Sequence, residues 1–251
     1  MKYFIITGTS RGLGEALSRK LLSKGNQLFC ISRNENTGLI EASRECGANL
    51  EYINFDLLDV SNIEEMMKKI FQKINKNVVE SIILINNAGT VTPIKPIEYC
   101  SSKEIAENVQ LNLIAPMILT SCFISLTSSM KADKRIINIS SGAGKKPYFG
   151  WSNYCSAKAG LDLFTRCVGV EQEEKSSPVK VISFAPGIID TEMQEEIRAT
   201  KIEDFKDLER FVTFKEEGKL LSPDQVAECV LLLLEQKYAG GDILDIKQFI
   251  Q

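Results

Sequence analysis

The stretch Lys2-Tyr3-Phe4-Ile5-Ile6-Thr7-Gly8-Thr9-Ser10-Arg11-Gly12-Leu13-Gly14-Glu15-Ala16-Leu17 decides the fold. Its first part is a short apolar run without strict alternation, the pattern of a central strand covered on both faces. Its last part opens a helical spacing, with Leu13, Ala16, Leu17 and Leu21 on one side. Between them, Gly8, Gly12 and Gly14 let the chain turn tightly, approach an anion and pack the helix close to the sheet. Free N–H groups at the helix start would face that anion, so Gly8, Ser10, Arg11, Gly12, Leu13 and Gly14 are expected to cradle a pyrophosphate.

Outward from this unit, short β-rich runs recur at 3–7, 27–32, 50–54, 81–86, 135–140, 179–185 and 242–246. Segments with helical spacing separate them, such as Val226, Val230, Leu233 and Leu234, and these are long enough to cross over between parallel strands. The prediction is a single doubly wound α/β domain over 1–251, with seven parallel strands and helices on both faces. One long helix is expected over 103–130, with Pro116 bending its axis or removing one backbone bond, and another over 152–174. An insertion at about 188–222, carrying Phe205, Phe211 and Phe214, is expected to form a small helical lid at the carboxyl edge of the sheet.

Composition narrows the chemistry. The 251 residues are 44% hydrophobic and 25% charged and include no histidine, which excludes Ser-His-Asp and Cys-His nucleophiles and imidazole-bound zinc. Proton transfer must use Tyr, Lys, Cys, Asp or Glu. With 30 basic and 33 acidic residues the net charge is -3, and no basic tract is dense enough to follow a phosphate backbone, so no nucleic-acid partner is expected. The seven cysteines form no CxxC pair and are odd in number, which predicts reduced thiols and a cytoplasmic protein. The N-terminal apolar stretch is too short for a signal-peptide core, and no run is expected to span a membrane.

The second strand ends Cys30-Ile31-Ser32-Arg33, without the acidic residue that would bind an adenosine ribose. Arg33 offers a planar fork of donors to a 2'-phosphate and Arg11 a second cation, so NADP(H) is predicted as the cofactor. The alternative is that both arginines are ordinary solvated residues. Asp56 and Leu57 are placed to hold the adenine, although Asp56 is equally suited to closing a turn or capping the helix near Ser61.

Further along lie Asn86-Asn87-Ala88-Gly89, Asn112, Ser141, Tyr154-x-x-x-Lys158, Pro186-Gly187 and Thr191. In this order, over nearly the whole chain, they resemble the motifs of the short-chain dehydrogenases/reductases. Tyr154 and Lys158 are four apart and therefore share a helix face, which puts an ammonium near a phenol. The resemblance implies that Tyr154 gives its proton to a carbonyl oxygen, Ser141 holds that oxygen, and Lys158 also bonds the nicotinamide ribose. It further implies that Asn112 holds a relay water, that Asn87, Ala88 and Gly89 meet the adenosine ribose, and that Pro186, Gly187, Ile189 and Thr191 orient the carboxamide. Ser140 competes with Ser141; the family's usual distance to the tyrosine implies Ser141, thirteen positions before Tyr154, and strand alternation turns Ser140 the other way. Cys155 points away from the tyrosine's face and is assigned to packing.

Gly142-Ala143-Gly144 leaves room beside this centre, and Tyr148, Phe149, Trp151 and Met193 gather apolar surface near it. These residues predict a pocket for a small aromatic or hydrophobic carbonyl compound, with core or dimer contact as the alternative role. Within the family, the wording of 5–10, 84–91, 115–120, 139–145, 147–151 and 218–223 is similar to reductases of aromatic 1,2-diketones, a group related to pterin side-chain reductases. A 3-oxoacyl reductase and an NADP(H)-binding sensor or scaffold are the other readings; intact Ser141, Tyr154 and Lys158 argue against the sensor. The two long helices, through Leu111, Ile114, Leu119, Leu161 and Phe164, could pair across a two-fold axis into a homodimer or a homotetramer.

Overall fold

Alternate residues of the first strand go to opposite faces: Tyr3 and Ile5 join one apolar core, Phe4 and Ile6 the other. A strand buried on both sides belongs in the middle of a parallel sheet. The computed structural model, which describes residues 1–250, places it there. The strands are β1 (Lys2–Thr7), β2 (Asn26–Ser32), β3 (Asn49–Asn54), β4 (Ser81–Asn86), β5 (Asp133–Ile139), β6 (Lys180–Ala185) and β7 (Ile243–Asp245). All seven are parallel, as the sequence predicts, and their order is β3-β2-β1-β4-β5-β6-β7.

The helices are α1 (Gly12–Leu21), α2 (Thr37–Cys46), α3 (Ile63–Gln72), α4 (Ser102–Val109), α5 (Ala115–Thr127), α6 (Ser152–Glu173), α7 (Glu192–Arg198), α8 (Leu208–Glu216) and α9 (Pro223–Glu235). Helices α1 and α9 cover one face of the sheet through Leu17, Val226 and Val230. Helices α3, α5 and α6 cover the other through Met67, Phe123 and Val168. The chain winds outward in both directions from β1 and β4, so a crevice opens beyond their carboxyl ends.

The helix predicted over 103–130 differs in detail. It consists of α4, a π-helical turn at Gln110–Ile114, and α5, which ends at Thr127. In the turn the Ala115 N–H donates to the Gln110 carbonyl, five residues back, and Pro116, which has no N–H, enters the first turn of α5. Ser102–Thr127 is also long and apolar enough to cross a membrane by length and composition, contrary to the expectation that no run would be. In the fold, Ala115, Leu119 and Phe123 of this stretch face the sheet and the neighbouring α3. Of the residues nominated for a dimer contact, Leu119 and Leu161 are core, Ile114 is exposed, and Leu111 and Phe164 are half-buried.

The insertion does not stand apart. Ile197 of α7, Phe211 of α8 and Phe205 between them form a third apolar core with Val91, Trp151 and Tyr154 at the carboxyl edge of the sheet.

Close packing at the start of α1 is unforgiving. A Cβ on Gly14 would lie 2.1 Å from the Gly8 carbonyl oxygen and 2.6 Å from Asn87 Nδ2. Gly14→Ala is therefore expected to destabilise the protein by about 1–3 kcal/mol, as overpacking against backbone does. Urea unfolding measures this, and an unchanged midpoint would contradict the packing described.

Candidate active site

The crevice is a cleft of about 1400 Å³, large enough for a dinucleotide and a small substrate together. Gly8, Ser10, Arg11, Gly12, Leu13, Ser32, Arg33, Asp56, Leu57, Asn87, Ala88, Gly89, Pro186, Gly187, Ile189 and Thr191 line it. Gly14 does not, because its contribution is the close contact beneath the loop.

Local bonds hold the Gly-rich loop open. The Thr7 hydroxyl accepts from the backbone N–H of Asn87 and of Ala88 at 2.9 and 3.0 Å, and Asn87 Nδ2 donates to the Thr7 and Gly8 carbonyls. Tyr52 donates to the Thr9 carbonyl and Asn36 to that of Ser10. Gly8 has φ +72°, where a side chain would be strained and would also meet Ala88 Cα at 2.9 Å. A side chain there would block the cradle, so the loop fits a pyrophosphate.

At the adenosine end, Ser32 Oγ donates to the Asn34 carbonyl and shapes the turn that carries Arg33. Arg33 is exposed and lines the cleft. Arg11 differs from the expectation of a free second cation, because α7 brings the Glu192 carboxylate against it. That pair is largely exposed and contributes at most about 1 kcal/mol, so a phosphate can exchange for it. Asp56 closes a turn by accepting from the Leu58 N–H at 3.0 Å while still facing the cleft, which combines two of the roles foreseen for it.

At the reacting end, α6 carries Tyr154 and Lys158 on its buried face. Lys158 is 5% exposed, and its ammonium donates to the Ile139 carbonyl at 2.8 Å. It lies 5.8 Å from the centre of the Tyr154 ring. Burial pulls Lys158 down to about 8, with Asp162 opposing that pull. Burial pushes the Tyr154 phenol up, with the Ser141 hydroxyl partly offsetting it. In this state the phenol therefore keeps its proton, which is the form a donor to a carbonyl requires. Ser141 Oγ accepts from the Ala143 N–H at 3.1 Å, while the Ser140 hydroxyl is buried without a partner, and both residues line the cleft.

Asn112 sits in the π turn, fully buried, and clamps the loop after Gly89. Its Nδ2 donates to the Thr90 and Asn108 carbonyls at 2.8 and 3.0 Å, and its Oδ1 accepts from the Thr90 N–H. The side-chain amide of Asn112 thus holds backbone on both its oxygen and its nitrogen. Cys155 is half-buried and its thiol is pushed up by burial, which suits packing rather than reaction.

The apolar wall is sorted differently from the sequence reading. Gly142, Tyr148, Trp151 and Met193 line the cleft, but Phe149 does not; it is 47% exposed and lies under the Lys206 ammonium. In its place stand Val91, Ile197 and Phe211. Phe205 is fully buried behind the wall, stacked on Trp151 with ring centres 4.5 Å apart. Val91 lies two residues after Gly89 of the Asn-Asn-Ala-Gly motif and could have been nominated on position; Ile197 carries no signal in the sequence alone.

A Gly-rich cradle at the switch point, a Ser-Tyr-Lys centre and one parallel sheet define a nucleotide-dependent oxidoreductase of the doubly wound class. Residues 2–202 match the short chain dehydrogenase family, and the chain belongs to it. With that family goes NAD(P)(H)-dependent chemistry at carbonyl and alcohol groups. The chain is 51% identical over 249 residues to "Benzil reductase ((S)-benzoin forming)" of Bacillus cereus, covering 99% of this chain and 100% of that protein. It is 28% identical to "Sepiapterin reductase" of Xenopus laevis, covering 96% and 94% of the two. Among solved structures, the KRED1-Pglu enzyme superposes with a TM-score of 0.83 at 25% identity, over 97% of this chain and 100% of that one.

The sorting of the wall can be checked by truncation. Trp151→Ala removes a buried ring packed against Tyr148, Tyr154, Phe205 and Phe211 and is expected to cost about 3–5 kcal/mol of stability. Phe149→Ala is expected to stay within about 0.5 kcal/mol of the parent and to keep its turnover. Thermal unfolding and steady-state rates of the two variants decide the point.

Proposed function

We propose that the protein reduces one carbonyl of an aromatic 1,2-diketone with NADPH, leaving the (S)-hydroxy ketone. The observation that carries this reading is the convergence of Ser141, Tyr154 and Lys158 on a wall of Val91, Tyr148, Trp151, Met193, Ile197 and Phe211. Such a wall desolvates flat apolar rings and offers little to a sugar or a carboxylate. The 51% likeness to a protein named for forming (S)-benzoin points the same way and supplies the proposed handedness.

When bound, the nicotinamide supplies the hydride. The Ser141 hydroxyl donates to the substrate oxygen and fixes it beside Tyr154. Tyr154, kept protonated by burial, transfers its proton to that oxygen as charge develops there. The Lys158 ammonium then stabilises the phenolate left behind, and its remaining donors are free to bond ribose hydroxyls. Asn112 keeps the Thr90 backbone, and with it the floor of the site, in register.

A pterin substrate needs an acidic anchor for its amino group, and the sequence offers Asp190, Asp242 and Asp245. Each is engaged: Asp190 with Lys215 at 2.5 Å, Asp245 with Lys145 at 3.0 Å, and Asp242 with the Ala239 N–H. Asp242 does not line the cleft, and an anchor at Asp190 or Asp245 would first have to displace a lysine. The seven free thiols support a cytoplasmic location. Exposed Met117, Leu163 and Val170 on α5 and α6 support a homodimer.

Two measurements test the reading. Oxidation of NADPH with benzil, 1-phenyl-1,2-propanedione and sepiapterin in parallel is expected to give the highest kcat/KM with the diketones, and Tyr154→Phe nearly to abolish it. A clear preference for sepiapterin would replace the substrate proposed, and equal rates in Tyr154→Phe would remove the mechanism. For the cofactor, Arg33→Ala is expected to weaken NADPH binding by about 1 to 3 kcal/mol, the loss of a charged hydrogen bond, and to leave NADH binding nearly unchanged. Fluorescence titration of both nucleotides reads this, and equal weakening would show that Arg33 does not read the 2'-phosphate.

A further inference from the structure

Three charged side chains are buried among the described residues: Lys134, Lys158 and Asp162. Lys134, near the start of β5, donates to the Ser177 carbonyl at 2.7 Å and ties a loop to the sheet. Lys158 belongs to the active site. Asp162 is the one acid of the three, and its carboxylate meets no cation; it accepts from Ser183 Oγ at 2.5 Å. An asparagine would accept that hydroxyl equally well. Hydrogen bonding therefore does not account for the charge, which is costly to bury.

The position accounts for it. Tyr154, Lys158 and Asp162 follow one another by four residues on α6, so they form a single buried stripe along the helix. Beneath them runs a polar row across adjacent strands. Asn86, Asn138 and Ser183 are in register on β4, β5 and β6. Asn86 Nδ2 donates to Asn138 Oδ1 at 2.8 Å, and Asn138 Nδ2 donates to Thr165 Oγ1 at 2.9 Å. Asp162 and Ser183 close the row, and Asp162 contributes its only charge, one helical turn from the buried ammonium.

We propose that Asp162 is a positioning residue for the reduction: its buried negative charge, anchored by Ser183, keeps the Lys158 ammonium charged beside Tyr154. The proposal rests on the roles given above to Tyr154 and Lys158. Other charges on the elements packed against α6 compete weakly. Lys145 and Asp245 pair with each other, Glu104 pairs with Lys95, and Lys103 pairs with Glu107. Lys180 lies at the start of β6, Arg166 of α6 is exposed, and α5 and the π turn carry no Asp, Glu, Lys or Arg. Besides Lys158 itself, the titratable groups close by on the stripe's own helix are Tyr154 and Cys155.

The sign follows from burial. Burial already pulls Lys158 down to about 8, and Asp162 opposes it. Without the carboxylate, Lys158 loses its proton at lower pH, and reduction, which needs the ammonium, fails at lower pH. The test is Asp162→Asn in the full chain. The Lys158 side chain is followed by NMR in lysine-labelled, cofactor-free protein, with its signal assigned through Lys158→Arg. The midpoint is expected to fall by about one pH unit. The high-pH limb of kcat for diketone reduction should move with it, while KM for the ketone stays unchanged. Asp162→Leu combined with Ser183→Ala removes both halves of the hydrogen bond, gives the same shift, and serves where the single change unfolds the protein. An unmoved midpoint in a folded variant overturns the proposal, as does a lower kcat with an unmoved pH limb, the mark of packing alone. Because the lysine titration needs neither cofactor nor substrate, it is read independently of whether Tyr154→Phe upholds the proposed reaction.

Discussion

An ammonium held away from water constrains everything at the reacting end. Lys158 has one protein acceptor, the Ile139 carbonyl at the last residue of β5, and reaches it only because α6 passes directly over the carboxyl ends of the central strands. That passage fixes where Tyr154 stands, one turn earlier on the same helix. It also fixes the floor of the site, because Asn112 in the π turn secures the Thr90 backbone beside Gly89. A helix that drifted by a fraction of a turn would leave a buried cation without a partner, a far larger loss than any single apolar contact in the cleft. The geometry is therefore held by electrostatics at its centre and by packing around it.

Much of this was legible in the sequence, and the reason differs from element to element. Strands such as 81–86 declare themselves by uninterrupted apolar text, because both faces of a parallel sheet are covered. The loop from Gly8 to Gly14 and the pair Tyr154 and Lys158 are local patterns, whose spacing along one turn or one helix face is their geometry. Between Ser140 and Ser141, strand alternation says only that the two side chains part, and the choice of Ser141 comes from its distance to Tyr154. What stayed hidden depends on residues distant in sequence. Glu192, at the start of α7, reaches Arg11 across the cleft. Phe149 and Trp151 differ by only two positions and go to opposite environments, because the loop before α6 turns one ring outward and the insertion receives the other. The π turn before Pro116 is a register shift, and Pro116 signals it only as a missing donor. Ser183 and Asn138 mean little alone and become a polar row only through strand register.

The insertion has the least pattern of its own and shapes much of the apolar wall of the cleft. Phe205 fills the space behind Trp151 with nearly parallel rings, and Phe211 packs edge-on against both. Rings locked in this way resist rearrangement, since any rotation of Trp151 must displace Phe205 from a fully buried site. The wall facing Tyr154 is then stiff where it is aromatic, and adjustable only at Met193 on the short α7. A stiff aromatic wall beside the buried Tyr154 phenol gives this side of the cleft a fixed shape. The open side of the centre is at Gly142, where a Cβ would meet nothing within 4 Å.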